Sequence, residues 1–157
     1  MVKLVDLDHK WAVAIGRIFV AFGSIESCTY KCIDAFAEET IAKFLKSMPL
    51  AKRTEVLIDL VSPKNLETEN KTEFLNNLEE IRKLLEKRNL IAHNPLVLQV
   101  YDEETSDTVW RERIISEKNK NKSIDYDEIM VIADKSESLS SSIHSNMAKF
   151  RLEGVST

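Results

Sequence analysis

Three prolines and three glycines are all that punctuate this chain of 157 residues. Tight turns rely on those residue types, so their scarcity favours long helices joined by few turns. An all-β fold of this length would need many more. The prolines at 49, 63 and 95 therefore act as the main dividers, and the apolar spacing can be read between them.

Ahead of Pro49, the residues Trp11, Ile15, Ile18, Phe22 and Ile25 recur at intervals of three and four, and Ile33, Phe36, Ile41 and Phe44 carry the pattern on. Residues 7–46 thus read as one long helix, or two nearly continuous ones. Val13, Val20 and Ala21 add a second apolar flank, wider than one core face needs. The surplus points to a further packing surface, such as a second subunit, and Gly16 and Gly23 would let another helix approach closely. Residues 50–61, "LAKRTEVLIDLV", form a short second helix ended by Ser62-Pro63. Phe74, Leu78, Ile81 and Leu85 mark a third, which Pro95 stops near His93 because the residue before a proline avoids helical geometry. "PLVLQVY" and "TVWRERII" are β-prone and flank the acidic turn "DEETSD", so a hairpin is expected over about residues 96–115. After the basic, polar loop "SEKNKNK", Ser123 or Asp125 can cap a last helix over about 125–152, striped by Ile129, Ile132, Leu139, Ile143, Met147 and Phe150. Ser136 interrupts that stripe.

The expectation is one all-α domain over residues 1–157, an antiparallel bundle of four to five helices with a small β-hairpin between the last two. At 43% hydrophobic and 31% charged residues the chain reads as a soluble globular protein. A net charge of −4 gives no general attraction to nucleic acid or anionic membranes, so any RNA contact must use a local basic patch. The first residues lack the order of a secretory signal, and the apolar window from Trp11 to Ile25 is short for a membrane span and contains Arg17. A cytoplasmic protein with no membrane contact is expected. Cys28 and Cys32, four apart on one helix, suit neither an unstrained disulfide nor a metal site without further soft ligands, so no metal and no cofactor are expected.

Arg88 falls where the third helix's stripe calls for its next apolar residue, with Asn89 directly after it and His93 five positions on. Metal-free RNA cleavage needs a base for the ribose 2′-hydroxyl, a cation for the phosphorane and an acid for the leaving 5′-oxygen. Histidine can serve as either base or acid near neutrality. Arginine matches phosphate oxygens with a fork that keeps its charge, and asparagine can orient either. The same residues also suit a plain helix end, with His93 answering the helix dipole and Arg88 pairing with a nearby glutamate. In a straight helix Arg88 and His93 point roughly 140° apart, so either a distorted last turn or a second copy of the motif across an interface is needed to bring them together.

The string "RNLIAHNP" resembles the signature of the HEPN superfamily (higher eukaryotes and prokaryotes nucleotide-binding), an Arg followed by four to six residues and then His. "IGRIFVAFGSIES", with its Glu26, is similar to the first helix of such proteins, and "LAKRTEVLIDLV" to their short second helix. The likeness covers roughly residues 10–100. It implies a homodimer in which two Arg–His motifs face each other across a cleft. It implies a metal-independent endoribonuclease, of the kind found as toxins with a partner antitoxin or as defence components, with RNA as substrate. Arg88, Asn89 and His93 would be the catalytic residues, and Glu26, polar among apolar neighbours, would either reach the cleft as a substrate-binding group or form a salt bridge across the dimer. Some members have lost activity and serve as dimeric binding or scaffold domains for a protein or nucleotide ligand. One toxin branch carries a modifiable Tyr two residues after the His, where this chain has Pro95. Trp110 with Arg111 and Arg113 offers a further stacking and phosphate-contacting group, although an ordinary strand with a solvated face is the simpler explanation.

Overall fold

The computed structural model describes residues 8–101 and 109–155. The expected acidic turn at 102–107 lies outside the described residues. Five helices follow one another: α1 (Lys10–Phe36), α2 (Glu39–Lys46), α3 (Leu50–Val61), α4 (Thr68–His93) and, after a small sheet, α5 (Tyr126–Leu152). The sheet is antiparallel, in the order β1 (Leu96–Tyr101), β2 (Val109–Ile115), β3 (Ser123–Ile124), with Leu96 opposite Ile114 and Ile114 opposite Ile124. The all-α bundle with an inserted hairpin is the observed architecture, and a two-residue third strand extends the hairpin.

The long first stretch divides at Ala37, whose extended backbone (φ −112°, ψ 152°) ends α1. α1 packs along α5 and also meets α3 and α4, while α4 lies between α3 and α5. The stripe residues Trp11, Ile18, Phe22, Ile25, Phe74 and Phe150 are all at most 1% exposed. Phe150 takes the edge-to-face contacts of Phe36 and Phe74, at 5.7 and 5.3 Å between centroids, so one ring joins α1, α4 and α5. α1 has the length and hydropathy of a membrane span, yet that inner face is consumed by the bundle.

Two carboxylates start the long helices. Glu67 accepts from the backbone N–H of Glu69 and Asn70 at 2.8 and 2.6 Å, and these bonds hold its carboxyl below the ordinary range. Asp125 accepts from the Glu128 N–H at 2.9 Å, and Ser123 lies in β3 instead. Ser136, which breaks the α5 stripe, is fully buried and donates to the Ile132 carbonyl at 2.7 Å.

A buried polar cluster sets the register of α4 against α5. The Asn146 amide donates to Asn70 Oδ1 and Glu73 Oε2, each at 2.9 Å, and its Oδ1 accepts from Asn77 at 2.8 Å. Asn70 returns a bond to the Asn146 carbonyl at 3.2 Å. Unpaired buried amides are costly, so these pairings specify which turns of the two helices meet.

Candidate functional site

α4 stays α-helical through His93, and Asn94 leaves it with extended backbone (φ −133°, ψ 149°), as the following Pro95 requires. Its last turn is therefore undistorted, and helical geometry keeps Arg88 and His93 on faces roughly 140° apart. Among the described residues no hydrogen bond joins the two side chains.

Arg88 is half-buried. Its guanidinium lies 4.9 Å from the centroid of the Phe19 ring on α1, and its Nη1 donates to Asn89 Oδ1 at 3.1 Å. Its Nε is buried with no hydrogen-bond partner. A guanidinium over a ring keeps its charge while losing water, which leaves an oriented cation with unused donor capacity. His93 is exposed at the end of α4.

Glu26 is engaged elsewhere: its Oε2 lies 3.4 Å from Arg53 Nη2, and no ion pair links it to Arg88 among the described residues. Arg53 itself is 3% exposed, lies 4.2 Å over the Tyr30 ring and donates to the Lys46 carbonyl at 3.4 Å. It fastens α3 to α1 and to the end of α2. Its spacing of three from Leu50 and four before Leu57 puts Arg53 on the buried side of α3, which the lysine before it does not share.

The outer side of α1 is bare. Val13, Gly16, Val20, Gly23 and Ser27 are all exposed, Val20 at 76% and Val13 at 60%. Their spacing of three, four, three and four confines them to a sector of about 80°. A Cβ placed on either glycine would meet nothing within 4 Å. α5 borders this stripe on one side, through Arg17 with Glu137 and Asp134, and Ser24 with His144 at 2.9 Å. On the other side stands Phe19 with Arg88 upon it. His144, which lacks any visible partner in the sequence, thus joins α5 to α1.

Asn94 is a further residue of interest. Its Nδ2 donates to the Leu90 carbonyl at 2.8 Å and its Oδ1 accepts from the Glu117 N–H at 2.9 Å. This ties the end of α4 to the loop between β2 and β3. Between α4 and that loop runs a cleft of about 520 Å³, with Asn89 on its α4 wall. Trp110, 61% exposed, borders a separate depression of about 480 Å³ on the sheet, together with Arg111, Arg113 and the acidic Asp125 and Asp127.

Cys28 and Cys32 are buried thiols. Their mutual hydrogen bond holds Cys28 below the ordinary thiol range, while burial pushes Cys32 well above it. Among the described residues no three side chains of His, Cys, Asp or Glu gather to hold a metal ion.

No protein-family model matches the chain, and it matches no curated protein and no solved structure.

Proposed function

We propose that this protein is a metal-independent endoribonuclease of HEPN type, acting as a toxin or defence component on cytoplasmic RNA, whose reacting groups meet when two copies pair. The observation that carries the reading is the seat of Arg88. A charged side chain is held on Phe19, at the rim of a bare helix face, with donor capacity unspent.

The bare stripe itself favours a two-fold partner. Its positions 13 and 27 lie seven residues either side of Val20, and the glycines at 16 and 23 lie four and three residues from it, which is close to symmetric. An antiparallel second copy would set Val20 on Val20 and Val13 on Ser27, with Gly16 within one residue of Gly23, a nearly self-complementary arrangement that would close as a dimer. Phe19 is the chain neighbour of Val20, so pairing brings both Arg88 side chains close to the two-fold axis. His93 of either copy is exposed and free to approach from the α4 end.

In this reading His93 takes the proton of the ribose 2′-hydroxyl, and the 2′-oxygen attacks phosphorus. Arg88, oriented by Asn89, stabilises the charge that develops on the phosphorane oxygens. The imidazolium of His93 in the other copy protonates the departing 5′-oxygen. The products are a 2′,3′-cyclic phosphate and a 5′-hydroxyl. Glu26 serves the fold through Arg53 in this scheme.

A catalytically silent dimer that binds a protein or nucleotide is the second reading, favoured by the net charge of −4. Incubating purified protein with mixed RNA in excess EDTA separates the two. Cleavage by the wild type, lost in both His93→Ala and Arg88→Ala, supports the enzyme. Cleavage that persists unchanged in both variants removes these residues from the chemistry, and intact RNA throughout supports the silent dimer.

A further inference from the structure

The cleft beside α4 is lined by more cations than carboxylates. Three lysines, Lys87, Lys118 and Lys122, line it against one carboxylate, Glu86. Lys87 is spoken for, since its ammonium lies 2.6 Å from Glu128. Lys118 and Lys122 are exposed and have no ion-pair partner among the described residues. The remaining polar lining is mostly side-chain amide, from Asn89, Asn119 and Asn121.

The loop that carries these groups is braced by its own hydrogen bonds. Asn119 N–H donates to Ser116 Oγ at 3.1 Å, Asn121 N–H to Asn119 Oδ1 at 3.1 Å, and Lys122 N–H to the Asn119 carbonyl at 2.9 Å. Asn94 fixes the loop to α4. The backbone that carries the lysines and amides is therefore held in place before any ligand arrives, which lowers the entropy lost on binding. On α4 the wall residues Glu86 and Asn89 precede His93 by seven and four positions, so all three share one helix face. The cleft runs toward the exposed His93 within one turn of α4.

We infer that this cleft binds the sugar–phosphate backbone of single-stranded RNA, with Lys118 and Lys122 on phosphate oxygens and the amides of Asn89, Asn119 and Asn121 on ribose hydroxyls and base edges. The inference rests on the ribonuclease reading and adds the path by which the strand reaches His93. Cations supply most of the affinity for a nucleic-acid backbone, while amides both donate and accept, as ribose and bases require. The cleft volume of about 520 Å³ suits a strand threaded one or two nucleotides deep, not a duplex. Phosphate contacts carry no sequence information, so the lysine share of the binding should be tolerant of base sequence.

The test uses full-length protein carrying His93→Ala, so that RNA is not consumed, and a fluorescein-labelled twelve-nucleotide RNA of mixed sequence. Anisotropy is followed across a salt series, with and without Lys118→Ala/Lys122→Ala. The lysine variant should bind at least fivefold more weakly at low salt. Its slope of log affinity against log salt should be shallower by about 1.4, as expected for two lost phosphate contacts to a single strand. Circular dichroism confirms that both proteins are folded. Equal affinity and slope with and without the lysines overturns the cleft, while wild-type cleavage would still leave the ribonuclease standing. Binding that depends on the lysines, with no cleavage by the wild type, keeps the cleft and removes the enzyme. Absence of any RNA binding overturns the cleft outright.

Discussion

Replacing Asn146 with Leu tests whether the motif helix is positioned by the polar cluster it shares with α5. Leucine has the same number of side-chain heavy atoms, so the change removes hydrogen bonds without emptying space. Asn146 is fully buried, and its loss strands Asn70 Oδ1, an acceptor on a residue 2% exposed. A stranded buried acceptor costs about 1–3 kcal/mol. Glu73 and Asn77 also lose a partner, but both reach solvent and can be rehydrated. For a domain of this size each kcal/mol lowers the melting temperature by about 2–4 °C, so a fall of about 2–12 °C is expected by calorimetry. The pair Asn70→Leu/Asn146→Leu strands no buried acceptor at either position and should recover at least half of that loss. The acid limb gives a second reading. The Asn146 amide is the largest influence holding the Glu73 carboxyl below its ordinary value of 4.5, with Ser142 next. A depressed carboxyl stabilises the fold above the unfolded value, and that contribution is lost as pH falls through the folded one. The gap between wild type and Asn146→Leu should therefore narrow below about pH 4.5. A single variant as stable as wild type, or a pair that falls further than the single, refutes the reasoning.

Two other outcomes bear on the site. Val20→Lys should turn the proposed dimer into a monomer by sedimentation velocity. Re-exposing two valines, each 76% exposed in one chain, costs about 2 kcal/mol before any charge repulsion, or roughly thirtyfold in dissociation constant; a wild type that is monomeric at every concentration would remove the shared site. Glu26→Ala leaves the buried Arg53 without its carboxylate and should lower stability by about 1–3 kcal/mol in a urea titration. Its RNA cleavage per folded molecule should be unchanged, and lost cleavage at full stability would return Glu26 to the substrate.

Much of the bundle is written in the spacing of large apolar residues. Phe74, Leu78 and Ile81 at intervals of four and three leave α4 one face to bury, and all three are fully buried. The break between α1 and α2 was illegible, because Ala37 and Glu38 are neither proline nor glycine and nothing local announces the extended residue. β3, at two residues, is too short for alternation to register. Within the site, Arg88 announced itself by occupying an apolar position, and its seat on Phe19 keeps the stripe's logic, with a ring covering the aliphatic stem and a charge at the rim. The roles of Glu26, Arg53, Asn94 and His144 were hidden for a common reason. Each is defined by a partner at least seven residues away in the chain, or by a loop whose course no local pattern dictates.

The final turn of a helix ordinarily frays, because its carbonyls have no partners further along the chain. Asn94 prevents this in α4 by filling the Leu90 carbonyl with one end of its amide and gripping the Glu117 N–H with the other. The imidazole of His93 is thus mounted on a turn that cannot unwind without also releasing the lysine loop. A pull on that loop by a bound chain would be felt at once at His93, with no hinge between them to absorb it.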